Sequence, residues 1–108
     1  MLPDSLAGPT GLTGAVALLK ALANPVRLMV VVELAGGPRC VHELLDAVRR
    51  GGREVSQPLL SQHLKVMREA GLVKTTRRAQ EIAYELLDAH VGSIASDAIQ
   101  HAEEIARL

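Results

Sequence analysis

The sequence predicts a mainly α domain that carries one β-hairpin. Three observations lead there. Apolar residues recur at helical spacing in several segments, punctuated by Asn24-Pro25, Gly36-Gly37-Pro38 and Gly71. Two short runs, Leu72–Thr76 and Ile82–Leu86, have strand character and flank Arg77–Gln80. The 108 residues suffice for one domain, and with 48% hydrophobic residues, no Phe or Trp and a single Tyr, its core must be aliphatic. A chain this short buries a modest share of its surface, a shortage that a second subunit relieves.

Taken in order, Met1–Gly14 holds Pro3, Gly8, Pro9, Gly11 and Gly14 and reads as a flexible N-terminal arm (residues 1–14), leaving 15–108 as the folded domain. A first helix, Ala15–Ala23, stops at Asn24-Pro25. Asn24 suits an N-cap and Pro25 a first helical turn, so a second helix runs from Pro25 to about Leu34. Val41–Val48 is a short third helix with Leu44, Leu45 and Val48 on one side, broken by Arg49-Arg50-Gly51-Gly52-Arg53. Ser56 caps a fourth helix, Gln57–Ala70, closed by Gly71. Its apolar side is Leu60, Leu64 and Met67, opposite Gln57, Ser61, Gln62, Lys65 and Arg68. The two strands form a hairpin with a basic tip. Asp88 then caps a last helix reaching nearly to Leu108, with Val91, Ile94, Ala98, Ile99 and Ile105 as its stripe.

Net charge is zero, but its distribution is uneven. Between Arg49 and Arg78, eight basic residues face only Glu54 and Glu69, a net +6. From Ala79 onward six acids face Arg107 alone, a net −5. A basic middle and an acidic end suggest two surfaces with different partners, although a solvated charged surface explains the charges alone equally well. The single Cys40 excludes an intrachain disulfide and fits a reducing compartment. The longest apolar run, Leu28–Val32, is too short to span a bilayer, and no secretion signal is legible. A cytoplasmic protein with no membrane contact is therefore expected. No phosphate loop, nucleophile elbow or oriented nucleophile–base–carboxylate set is present, so neither an enzyme nor a small-molecule substrate is expected.

Two short helices followed by a hairpin are the parts of a winged helix-turn-helix. The fourth helix has the polarity of a reading element. Gln57, Ser61 and Gln62 offer groups that bond base edges in a major groove, while Lys65, Arg68, Arg77 and Arg78 neutralise phosphates. Single-strand binding is disfavoured because aromatic stacking platforms are missing. The helix-turn-helix linker, Arg49–Val55, exceeds the usual ~3–4 residues and adds three arginines, which extend phosphate contact or loop into solvent.

Leu22-Ala23-Asn24-Pro25-Val26-Arg27-Leu28 and Ser56-Gln57-Pro58-Leu59-Leu60-Ser61-Gln62-His63-Leu64-Lys65, followed by Arg68-Glu69-Ala70-Gly71-Leu72-Val73, resemble the signatures of the ArsR/SmtB family of winged helix-turn-helix metalloregulatory repressors. The resemblance covers about Ala15 to Glu104. It implies a homodimer joined through the N- and C-terminal helices, with Gln57, Ser61 and Gln62 at base-contacting positions of double-stranded operator DNA.

His90 and His101 lie eleven residues apart on the last helix, sharing a face but separated by about 16 Å. One helix cannot bring both to one ion. An antiparallel pair of such helices places Asp88 and His90 of one chain opposite His101 and Glu104 of the other, making two symmetric sites of N2O2 type that suit Zn(II). By themselves, exposed histidines and acids on a helix are more often an ordinary solvated face. The spacing Asp-x-His-x10-His-x2-Glu resembles the ligand pattern of the family's zinc-sensing, SmtB-like branch. That resemblance implies Asp88, His90, His101 and Glu104 as ligands, with cobalt as a surrogate. It also implies a bond from His101 to a carbonyl near Gly71. Cys40-Val41-His42-Glu43 aligns with a thiol-rich stretch of other members. No other Cys, and no His, precedes it, so Cys40 reads as a small, partly buried residue, and His63 as a packing residue.

The expected function is that of a zinc-responsive repressor. The metal-free dimer binds a palindromic operator, and zinc lowers that affinity by changing the orientation of the subunits. The direction of response comes from the resemblance. The alternative is a regulator of the same family that answers a different metal or a non-metal inducer, with zinc structural or absent.

Overall fold

A computed structural model describes residues 9–108. Helix α1 spans Pro9–Leu22 and α2 Pro25–Leu34. A two-residue strand β1, Arg39–Cys40, leads into α3, Val41–Arg50, and after a loop comes α4, Gln57–Glu69. Strands β2, Val73–Arg78, and β3, Glu81–Leu86, form the hairpin, and α5 covers Ala89–Ala106. Helices α3 and α4 with the hairpin behind them make a winged helix-turn-helix.

The first helix begins earlier than expected. Pro9–Gly14 belong to α1, while Met1–Gly8 lie outside the described residues. Proline is pre-organised for a first helical turn. Leu12, Val16 and Leu19 continue a helical repeat back through the glycines, each of which costs about 1 kcal/mol against alanine. Helix α2 matches its predicted bounds because the Asn24 side chain accepts from the amides of Val26 (2.9 Å) and Arg27 (3.2 Å). That cap turns the chain by 96° between α1 and α2.

Strand β1 was not foreseen. It pairs antiparallel with β3, Arg39 opposite Tyr84 and Cys40 opposite Ala83, so the sheet order is β1-β3-β2. In the hairpin Val73 faces Leu86 and Arg78 faces Glu81, leaving a tight turn of Ala79 and Gln80. Ala79 takes φ 56°, a left-handed conformation unusual for a side chain with a Cβ.

The core is aliphatic, as composition requires. Val30, Val31 and Leu34 of α2 meet Leu44 and Val48 of α3, Leu60, Leu64 and Met67 of α4, and Val91 and Ala95 of α5. Among the described residues no polar or charged side chain is buried. The sheet's inner edge contributes Leu72 and Val73. At Gly51 the end of α3 comes close to α2: an added Cβ would lie 2.0 Å from Met29 Cε, so the flexible end of that side chain would have to move. No single described helix is long and apolar enough to cross a membrane.

Candidate nucleic-acid interface and metal centre

Helix α4 starts because the Ser56 hydroxyl accepts from the Leu59 amide (3.2 Å) and Pro58 suits the first turn. It ends at Ala70, with Gly71 at φ +77°. Leu60, Leu64 and Met67 are fully buried and hold one side of the helix against the core. All five predicted contact residues, Gln57, Ser61, Gln62, Lys65 and Arg68, are exposed on the remainder. Two amides, a hydroxyl and two cations on one exposed helix surface suit a major groove, where base edges and phosphates demand those groups together.

The two wing arginines part company. Arg77 is exposed and makes no ion pair among the described residues. Arg78 is turned back on the domain: its guanidinium donates to the Glu43 carboxylate and to the Pro38 carbonyl (3.1 Å). The same Glu43 carboxylate accepts from the Cys40 amide at 2.7 Å. These contacts pin the wing to the start of α3, so Arg78, expected among the phosphate contacts, also holds the wing in place. Glu43 is held below the usual carboxylate range, first by the Cys40 amide and then by Arg78.

The linker is also partly spent inside the molecule. Helix α3 runs on to Arg50, so the connection is Gly51–Ser56. Arg49 donates through Nε (3.2 Å) and Nη2 (3.0 Å) to the carbonyl of Val55, a buried residue that anchors the loop. Of the three arginines between Arg49 and Val55, Arg49 stabilises the loop, while Arg50 and Arg53 are exposed.

Cys40 is 2% exposed, and its thiol donates to Glu81 Oε2 at 3.2 Å. Burial, then this bond to Glu81, pushes the thiol up from its ordinary value. A buried thiol held in its protonated form lacks the exposed thiolate that a nucleophile needs. His42 lies beside the same carboxylate, its Nδ1 3.6 Å from Glu81 Oε1.

At the C-terminal helix, Asp88 Oδ1 accepts from the His90 amide (2.9 Å), capping α5. The His90 ring turns to the same carboxylate, Nδ1 lying 3.4 Å from Oδ1. His101 and Glu104 sit at the other end of the helix, both exposed. Eleven residues at 1.5 Å keep the two histidines about 16 Å apart along the axis. Among the described residues no three His, Cys, Asp or Glu side chains converge on one point. Within a single chain the four candidate ligands thus lie two at each end of α5. Glu104 accepts from Gln100 Nε2 at 3.4 Å, and no hydrogen bond joins His101 to the region of Gly71 within the described chain.

A contact that sequence reading missed joins α2 to α4. Arg27 Nε donates to His63 Nδ1 at 3.0 Å, and Arg27 Nη1 donates to the carbonyl of Ala21 at 3.3 Å. His63 packs, as expected, but it does so as a hydrogen-bond acceptor.

A helix-turn-helix with an exposed polar second helix and a pinned hairpin defines a DNA-binding domain of the winged class. The model of the bacterial regulatory proteins of the arsR family matches residues 24–75, which hold α2, α3, α4 and the start of β2. The HTH-type transcriptional repressor SmtB of Mycobacterium tuberculosis is 48% identical over 81% of this chain, and the match spans 61% of that relative's length. The HTH-type transcriptional regulator NmtR of the same species is 40% identical over 81% of this chain and 68% of its own. Among solved structures, a homodimeric winged helix-turn-helix DNA-binding domain from Mycobacterium bovis superposes with a TM-score of 0.79 at 25% identity, covering 97% of this chain and 91% of that one. The protein belongs to the ArsR family of bacterial regulators.

Proposed function

We propose that the chain acts in the cytoplasm as a homodimeric, zinc-responsive transcriptional repressor. The metal-free dimer binds a palindromic operator through α4 and the wing. Zn(II) binds at two symmetric sites, each formed by Asp88 and His90 of one protomer with His101 and Glu104 of the partner subunit, and lowers DNA affinity.

The observation that carries the metal reading is the pairing at the start of α5. Four ligands about 2.0–2.2 Å from a tetrahedral ion lie roughly 3.4 Å from one another. Asp88 Oδ1 and His90 Nδ1 stand 3.4 Å apart, so half of such a shell has the right spacing before any ion arrives. Bound there, the ion would supply a fixed bridge between two α5 helices and no chemistry on DNA. The chain's own residues do the rest. The Asp88 cap holds the His90 backbone, and α5 carries the second half-set to the far end.

Dimerisation is supported by the apolar surface that one chain leaves open. Leu12, Val16 and Leu19 line α1, each 44–59% exposed. Beside them Leu19, Leu22, Leu28, Ile94 and Ala98 line an apolar groove of about 170 Å³ between α1, α2 and α5. In this reading α1 and α5 of a second copy cover this surface; the similar domain from Mycobacterium bovis is itself homodimeric. Two reading helices related by a two-fold axis must stand ~34–36 Å apart to enter successive major grooves, and clamping the two α5 helices alters that spacing. A coupling of ~1–3 kcal/mol is typical for such a device, and operator DNA must then weaken zinc by the same factor.

The test is fluorescence anisotropy of the dimer on its own promoter DNA, titrated with zinc and then chelator. The expected result is reversible loss of binding that is absent in His101→Ala. Binding indifferent to zinc would overturn the zinc response and leave a family member with another inducer.

A further inference from the structure

We propose that Arg27 and His63 form the link that sets the reading helix against the dimerisation helix, and that this link holds only while the His63 ring is neutral. The inference rests on the reading of α4 as the DNA-contacting helix. One guanidinium joins three helices: Arg27 itself stands on α2, its Nη1 holds the Ala21 carbonyl in the last turn of α1, and its Nε holds His63 in the middle of α4. His63 directly follows Gln62 and lies two residues beyond Ser61, so its placement carries their side chains with it.

The direction of the bond decides the protonation state. Guanidinium nitrogens only donate, so His63 Nδ1 must accept, and the ring's single proton belongs on Nε2. A protonated ring has donors at both nitrogens. The 3.0 Å contact would then set two cations and two N–H groups against each other. Among the described residues no carboxylate pairs with the ring: the charge acting on His63 is Arg27 of α2, whose other bond goes to the Ala21 carbonyl of α1. Burial first, and Arg27 second, hold His63 below its ordinary value of 6.5. The unfolded chain therefore takes up the proton before the folded one does. The link's contribution is complete above about pH 6.5 and is lost as pH falls from there through the folded-state value.

Acidification should therefore release α4 from α1 and α2 and blunt operator recognition, even as it adds positive charge that favours DNA in general. Arg27 and His63 are positioning residues, since neither touches a base in this reading. If the competent state excludes the proton, operator affinity relative to random DNA falls by up to about tenfold per pH unit below the His63 value.

The test compares wild type and His63→Gln, both kept metal-free with chelator, binding operator and random duplexes between pH 7.5 and 5. Glutamine offers an acceptor to Arg27 and does not titrate. The expected result is an operator preference that collapses in wild type and stays flat in His63→Gln. Identical pH profiles would overturn the proposal. Nitrogen-15 NMR of the free dimer supplies an arm that needs no DNA. The expected findings are an Nε2–H tautomer, a midpoint below 6.5, and amide shifts at that midpoint reaching Ala21. An ordinary midpoint with shifts confined to α4 would overturn the link. Absence of operator binding at every pH would instead sink the DNA reading, and the NMR arm would still decide on the link.

Discussion

Asp88 has two separable duties in the proposed function, and substitution can divide them. Its Oδ1 caps α5 by accepting from the His90 amide at 2.9 Å, and its carboxylate serves as a zinc ligand. Asparagine caps a helix about as well as aspartate, whereas alanine loses the cap at a cost of about 1 kcal/mol. For a domain near 100 residues that cost lowers the melting temperature by roughly 4–8 °C. Metal-free Asp88→Ala should show this fall, and metal-free Asp88→Asn should melt close to wild type. Zinc tells the opposite story. Asparagine lacks the anionic oxygen, and a loss of at least ~10–100-fold in affinity is expected, since even groups behind the ligands are worth that much. At a zinc concentration one hundred times the wild-type Kd, binding stabilises by about 2.7 kcal/mol per site. A site weakened one hundredfold gains only about 0.4 kcal/mol at the same zinc. Calorimetric melting with chelator and with zinc, beside competition against a chromophoric chelator, measures both. An Asp88→Asn protein with wild-type zinc affinity would refute the ligand assignment and leave Asp88 a cap. A metal-free Asp88→Asn that melts as low as Asp88→Ala would refute the account of the cap.

Two further outcomes follow from the wing. Ala79 holds φ 56°, which costs an L-residue about 1–2 kcal/mol, while glycine's extra freedom in the unfolded chain costs about 0.5–1 kcal/mol. Ala79→Gly should therefore raise the melting temperature, by the equivalent of about 0.5–1 kcal/mol, and a fall would show that the turn relaxes differently. Arg77 and Arg78 should separate by assay. Arg77→Ala is expected to flatten the salt dependence of DNA binding by about one phosphate, a slope change near 0.9, with melting unchanged. Arg78→Ala should lower the melting temperature, because it frees Glu43 and the Pro38 carbonyl. A salt slope that responds only to Arg78 would reverse these roles.

Much of the fold was legible wherever the deciding contacts are local. Asn24-Pro25 set the start of α2 through a cap reaching two and three residues ahead, and the glycines beyond Leu34 ended it. In α4, Leu60, Leu64 and Met67 recur at the helical period, so the buried side, and with it the exposed set from Gln57 to Arg68, followed from spacing. The hairpin was found from its strand-forming runs, two residues short at the end of β2 because Arg77 and Arg78 read as loop. The first helix was cut short for a similar reason: glycines argue against a helix locally, and only the continuing Leu12–Val16–Leu19 repeat argues for it.

What the sequence by itself determined, then, is whatever depends on capping and periodicity: helix order, the exposed polar side of α4, and the spacing of histidines and carboxylates along α5. Tertiary structure alone decided the contacts between residues far apart in the chain. Strand β1 exists because Arg39 and Cys40 find β3 more than forty residues later. Arg78 turns inward because Glu43 and Pro38 stand ready for it, and no pattern around Arg78 distinguishes it from Arg77. Arg27 meets His63 across thirty-six positions, so an apparent packing histidine becomes an acceptor whose charge state matters. The physical reason is common to all three. Caps and amphipathic faces are settled within a turn or two of helix, whereas a polar side chain's partner is chosen by the packing of the apolar core, which brings distant segments together only once the whole domain has closed.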